Sequence, residues 1–344
     1  MAAGLTKSTV TFVGPRRVEV QHDEVGGPGP GRVLVRTRLS AISAGTELLV
    51  YRGEAPSGMA ADDSIAALAG TLSFPLRYGY AAVGEVIQVG EGIDANLLGR
   101  RVFAFNPHES LLEAEQESLM EIPAGVSYED AVTLPSMETA VNFAMDGAPL
   151  VGENVLVIGQ GVIGLLTTAL LAQMPLASLV TLDTVEARRE MSLELGATAS
   201  YDSSVPGMMD KITAAFDSHG ADLVYELSGR PEALDTAIAA TGYGGRIVIG
   251  SWYGTKRAPV DLGGSFHRSR IKLISSQVTT IAPELSGRWD KQRRFATAWR
   301  MVELLKPSQL VTHRFPVEEA ADAYRLLDGS PGDALQVLLT YDSS

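Results

Sequence analysis

Gly159, Gly161 and Gly164 form a Gly-x-Gly-x-x-Gly run between a short apolar segment, residues 154–158, and a longer one, residues 162–174. The first has the length of a buried strand and the second is long enough for a helix. The next apolar run, 179–182, is closed by an acid, Asp183, which stands 19 residues beyond Gly164. Few backbones suit such a pattern. A strand that feeds a helix through so tight a turn uses its first glycine to turn. Its second lets a ligand approach the backbone, and its third lets helix and sheet touch. The free N–H groups and the positive end of the helix then favour phosphate oxygens. The segment therefore predicts a Rossmann-type parallel sheet with a dinucleotide on Gly159, Gly161, Val162, Ile163 and Gly164.

The surrounding rhythm fits. Residues 186–195 read as a helix closed by Gly196, and 221–225, 246–249 and 271–274 as further short strands of the buried type. Strands alternating with helices mean a parallel sheet covered on both faces. Asp183 is placed to accept hydrogen bonds from the adenosine ribose, which favours NAD. Arg188 and Arg189 leave NADP open, because either could meet a 2′-phosphate or lie on an exposed helix face.

The chain before this region has a different texture. Residues 33–38 and 82–89 alternate as strands do, with turn signals at 26–30 and 90–92. The tail reads as a helix at 295–305, a strand at 311–315, a helix at 318–327 and a last strand at 336–340. At 344 residues two domains are expected. The net charge of −13 argues against a nucleic-acid partner. The basic run from Arg288 to Arg294 reads as the solvated face of a helix. No apolar run reaches the roughly 18–20 residues of a membrane span. Residues 1–10 lack the features of a signal peptide, so a cytoplasmic protein acting on a small molecule is expected. Cysteine is absent, which removes thiolate nucleophiles and every cysteine-based zinc site.

Several stretches in order resemble the medium-chain dehydrogenase/reductase superfamily: 43–47 with 51–53, 79–86, 99–102, 134–140 and 226–229. The resemblance implies an α/β protein with a GroES-like β domain, residues 1–140 and 285–344, and a Rossmann doubly wound domain at 141–284. It also implies a homodimer. In the zinc-dependent pattern the metal ligands would fall at Ala44, Tyr80 and near Pro135, and none of these suits zinc. The chain is thus similar to a zinc-free branch that includes threonine-dehydrogenase-like and bacteriochlorophyllide-dehydrogenase-type proteins.

Without a Lewis acid, hydroxyl groups must stabilise the oxyanion. By resemblance Thr46 takes the place of the proton-relay hydroxyl; it reads equally as a cap on a helix starting near Leu48. Tyr80 is either a general acid with a lowered pKa or a filler of the volume a metal would leave. His108 could relay protons with Glu109 or stand exposed in a loop. Phe105, Asn106 and Trp252 are expected to line the substrate pocket, and Ser228, Gly250 and Ser251 to touch the cofactor. Glu138 reads as a buried acid near the nicotinamide or as a helix-start acid. The chemistry expected is NAD(P)(H)-dependent oxidation of a secondary alcohol or reduction of a ketone. Reduction of an activated C=C bond and a non-enzymatic dinucleotide-binding redox sensor are the alternatives.

Overall fold

The computed structural model describes residues 5–56, 58–62 and 65–341, and every element and count below refers to those residues. The chain forms two compact units, one running up to Pro135 and resuming at Lys306, the other spanning Ser136–Leu305.

The first unit opens with a hairpin, β1 (Leu5–Gly14) and β2 (Arg17–Val25). β1 buries Val10 and Phe12 completely, whereas β2 is exposed along most of its length. The long β3 (Arg32–Ile42) runs directly into α1 (Ala44–Arg52), which Gly53 ends in the left-handed conformation. β4 (Leu76–Arg77) then joins β1, and β5 (Ala82–Val89) pairs antiparallel with β3. β6 (Arg101–Ala104), β7 (Leu111–Glu115) and β8 (Leu119–Glu121) complete this part of the sheet, β7 lying on β3.

Two helices follow, α2 (Tyr128–Ala131) and α3 (Leu134–Gly147). The second unit then alternates strand and helix: β9 (Asn154–Ile158), α4 (Val162–Leu171), β10 (Ser178–Asp183), α5 (Glu186–Glu194) and β11 (Ala199–Asp202). It continues with α6 (Met208–Ala215), β12 (Ala221–Glu226), α7 (Ala233–Ala240), β13 (Thr241–Ile249), α8 (Ser265–Arg268), β14 (Lys272–Ser275) and α9 (Lys291–Leu305). The six strands are parallel in the order β11-β10-β9-β12-β13-β14, so the strand order reverses beside β9. Val155, Leu156, Val157 and Val180 are wholly buried, as expected of central strands covered on both faces. β15 (Val311–Pro316), α10 (Ala320–Gly329) and β16 (Gln336–Thr340) return to the first unit, where β16 pairs antiparallel with β3.

The unit boundaries differ from those drawn from the sequence. Residues 136–140 and 285–305 pack with the parallel sheet, because α3 and α9 are tied together by a buried pair, Arg294 and Glu138, 2.7 Å apart. Arg294 therefore corrects the reading of the 288–294 run as a solvated face, since its side chain is fully buried.

A second arginine braces the N-terminal edge of the sheet. Arg246 donates to the carbonyls of Gly147, Ala148 and Asp222 and forks onto Glu153 at 2.7 and 2.8 Å. Burial pushes the Glu153 carboxyl up, but the hydrogen bonds from Arg246 and from Leu150 N–H outweigh it and hold its pKa below the ordinary value. The stabilisation from a depressed carboxylate is present above its unfolded pKa and is lost as the pH falls through the folded one. Arg246→Ala should destabilise the second unit by about 3 kcal/mol near neutral pH. The penalty should shrink below about pH 4. Urea unfolding followed by the tryptophans, all at 252, 289 and 299 in this unit, measures both.

Candidate active site

The C-terminal end of β9 carries the glycine run. Gly159 has φ +94°, and a Cβ there would lie 2.6 Å from Ser228 Cα. A Cβ on Gly164 would lie 1.9 Å from the Gly159 carbonyl oxygen, so α4 can meet β9 only through a glycine. Gly161 is different: a Cβ there would meet nothing within 4 Å. It is the N-cap of α4 and offers no capping side chain. The N–H groups of the first turn, from Val162 and Ile163 onward, have no helical partners and face this open side.

Asp183 clasps the same turn. Its Oδ2 accepts the Gln160 N–H at 2.7 Å and its Oδ1 the Val185 N–H at 2.9 Å. Arg189 donates to the Asp183 carbonyl at 3.1 Å and pairs with Asp202 at 3.4 Å, which ties it to the end of β11. Arg188 is half-buried on α5.

The ends of β12 and β13 supply the remaining expected contacts. Glu226, level with Ile158 and Ile249 in the sheet, is fully buried. Its carboxylate accepts Ser228 N–H at 2.9 Å, the Ser228 hydroxyl, and the Tyr253 phenol at 2.5 Å. Burial and this neighbouring carboxylate push the Tyr253 phenol far up, so it stays neutral. Ser251 Oγ accepts Gly229 N–H at 2.9 Å. A Cβ on Gly250 would lie 2.3 Å from the Phe143 ring, and the neighbouring Trp252 is 36% exposed. Ser228, Gly250 and Ser251 are thus brought to the strand ends that carry Gly159. Glu226 carries no site role in the sequence reading, because its meeting with Tyr253 depends on β12 and β13 being neighbours.

In the first unit the start of α1 is organised by Glu47 rather than by Thr46. Ser43 is the N-cap, so Thr46 lies inside the first turn and does not cap a helix at Leu48. Glu47, fully buried, accepts the Ser43 N–H at 2.7 Å. The Ser43 hydroxyl, free of capping, accepts a hydrogen bond from Tyr80 at 2.5 Å. Burial, helped by the Glu47 and Asp62 charges, outweighs the hydrogen bonds to Ser43 and Thr46 and leaves the Tyr80 phenol raised to about 12. The expected lowering of its pKa is therefore corrected: Tyr80 is a neutral donor, not a phenolate.

His108 is corrected as well. Its ring is neither exposed nor paired with Glu109. It is fully buried, with Nδ1 at 2.7 Å from Ser40 Oγ and Nε2 at 3.0 Å from Glu47 Oε2. Tyr324 donates to the same carboxylate oxygen. The ring lies against Gly79, where a Cβ would come within 2.6 Å of it. Glu109 instead binds Lys7 at 3.3 Å and Asn106 Nδ2 at 3.3 Å. Asn106, buried, also donates to the Pro107 carbonyl, so its amide nitrogen serves its own loop rather than a pocket. Phe105 packs edge-on against Phe103 at 5.0 Å.

Comparison with known proteins agrees with this architecture. Residues 162–298 match a family described as zinc-binding dehydrogenase. The chain is 24% identical over 345 residues to L-threonine 3-dehydrogenase of Coxiella burnetii, covering 90% of this chain and 93% of that one. These likenesses support a member of the medium-chain dehydrogenase/reductase superfamily. A short chain alcohol dehydrogenase of Escherichia coli complexed with NADH superposes with a TM-score of 0.79 at 20% identity, over 98% of this chain and 100% of that one. A zinc-binding dehydrogenase of Sinorhizobium meliloti bound to NADP gives 0.77 at 18% identity, over 98% and 99%. The relatives named as dehydrogenases indicate an oxidoreductase, and the fold has the GroES-like and Rossmann units of such proteins.

The two helix-start glycines separate binding from folding. Gly164→Ala should cost about 3 kcal/mol, since backbone blocks the added methyl. Gly161→Ala should cost no more than about 1 kcal/mol, the usual scale of an N-cap change. It should nonetheless weaken dinucleotide binding, because its methyl enters the open face. Thermal melts and a cofactor titration of both variants check this.

Proposed function

We propose that this medium-chain dehydrogenase/reductase transfers hydride between NAD(H) and a small secondary alcohol or ketone without a catalytic zinc. The observation that carries the reading is Tyr80. It stands where the zinc-dependent pattern has a histidine ligand, and its phenol is neutral and bound to Ser43. The rest of that ligand set does not fit zinc either, because Ala44 and Pro135 have no donor atom and catalytic zinc needs three protein ligands. The nearby Glu47 and His108 are engaged with each other in the core. The family match at 162–298 lies outside all three positions.

The bound nicotinamide supplies or accepts the hydride. The protein's own part is orientation and proton handling. A phenol with a pKa of about 12 remains protonated across the neutral range, so Tyr80, on releasing Ser43, can donate its hydrogen bond and then its proton to an oxyanion. Thr46 supplies a second hydroxyl in the same cluster. Asp183 supports NAD over NADP, since a buried carboxylate beside the ribose would repel a 2′-phosphate. The similarity to a threonine 3-dehydrogenase supports a secondary alcohol as the substrate class. A homodimer belongs to the same reading, supported by the exposed Leu273 on β14, the edge strand of the parallel sheet.

Fluorescence titration with NADH and NADPH tests the cofactor, with Trp252 as an internal reporter. NADH should bind more tightly by about tenfold or more. A preference for NADPH would move the credit from Asp183 to Arg188, and failure of both to bind would overturn the proposal. With a ketone turned over, Tyr80→Phe should lower kcat by about 10²–10⁴-fold. An enone whose reduction survives that change would instead favour hydride addition to carbon. The wild-type rate should show no loss of an acid group up to about pH 10, the ordinary tyrosine range.

A further inference from the structure

Arg294 is the largest fully buried side chain among the described residues, and its five N–H donors are all engaged. Nε and Nη2 donate to Glu138 Oε1 at 3.0 and 2.7 Å, and Nη1 to Asn142 Oδ1 at 2.6 Å. The other two donors go to main-chain carbonyls, Val278 through Nη2 and Thr280 through Nη1 at 3.0 Å. Two residues nearer β14, Ser276 donates to Asp146 at 2.5 Å and accepts from Asn142 at 3.0 Å. Glu138, Asn142 and Asp146 are four residues apart, so they share one face of α3. Alternate residues of an irregular segment, 276, 278 and 280, are thereby stapled to a single helix face.

A buried cation is a poor way to gain stability, since an apolar side chain of similar volume often does as well. What this one gives is shape, fixing carbonyls that no strand or helix holds. The place matters. The segment leaves the C-terminal end of β14, in the half of the sheet formed by β12, β13 and β14. In a sheet of this strand order a dinucleotide lies across the C-terminal ends, one mononucleotide on each half. The glycine run and Asp183 hold the adenosine side, which leaves the nicotinamide side to the β14 half.

We propose that Arg294 is a positioning residue for the nicotinamide half of the cofactor site, acting through residues 276–280. This rests on the cofactor reading above. The test compares NADH with ADP-ribose, which lacks the nicotinamide, by calorimetry. Arg294→Lys keeps the charge but cannot fork between Glu138 and two carbonyls. It should weaken NADH by about tenfold or more while ADP-ribose changes by no more than about twofold. Equal weakening of both ligands, or no weakening of either, overturns the proposal. Should that variant not fold, hydrogen exchange of the wild-type protein decides: NADH should slow the amides of 276–281 and ADP-ribose should not. Identical protection by the two overturns the proposal. Failure of the wild type to bind either ligand is a separate result, which defeats the cofactor reading itself.

Discussion

In the second unit the start of α4 lies so close to the end of β9 that a Cβ on Gly164 would come within 1.9 Å of the Gly159 carbonyl oxygen. The rest of the cofactor site depends on that approach. It aims the first turn of α4 along the strand end and leaves its N–H groups open beside Gly161. Asp183 from one neighbouring strand holds the turn through the Gln160 N–H, and Glu226 from the other holds Ser228, whose backbone lies against Gly159. Each carboxylate accepts main-chain N–H groups, so the cradle is built from satisfied buried polar atoms. A cradle fixed before the ligand arrives loses little entropy on binding, which is how preorganisation raises affinity.

The first unit solves a different problem. Around α1 the geometry is fixed by hydrogen bonds. Glu47 gathers Ser43 N–H, the His108 ring and the Tyr324 phenol, and Ser43 in turn receives Tyr80. Such a network is useful only when every member is satisfied, because low dielectric strengthens a made bond and punishes a missing one. His108 also bonds Ser40, whose hydroxyl lies 2.8 Å from Tyr341 on the last stretch of chain. The return of β16 onto β3 thus helps to hold the helix that carries Thr46.

The cofactor motif was legible because its requirements are local. Gly159, Gly161, Gly164 and Asp183 lie on consecutive elements, and the strands at 82–89 and 154–158 have the ends that their hydrophobic patterns give. The pairings between distant residues were not legible. Arg294 and Glu138 stand 156 positions apart, and in the sequence Arg294 closes an ordinary basic run. The one available signal was Glu138, Asn142 and Asp146 at four-residue spacing in a largely apolar helix. His108 reads from the sequence as a partner of Glu109 or as exposed in a loop, whereas the fold buries it and gives it Glu47, 61 residues away. The hairpin of β1 and β2 escaped notice because β2 is an edge strand with mostly exposed side chains, which weakens the alternation. Contacts of this kind come from topology, and periodicity does not report them.

Hydride transfer that needs no metal is the claim from which the roles of Tyr80 and Thr46 follow. The most direct measurement uses NADH carrying deuterium at the reactive nicotinamide carbon, with protein stripped of metal by a chelator and its metal content determined. Appearance of the deuterium on the carbinol carbon of the product, at the same rate before and after stripping, is the predicted result. Loss of that transfer on stripping, with recovery when zinc is restored, would contradict it.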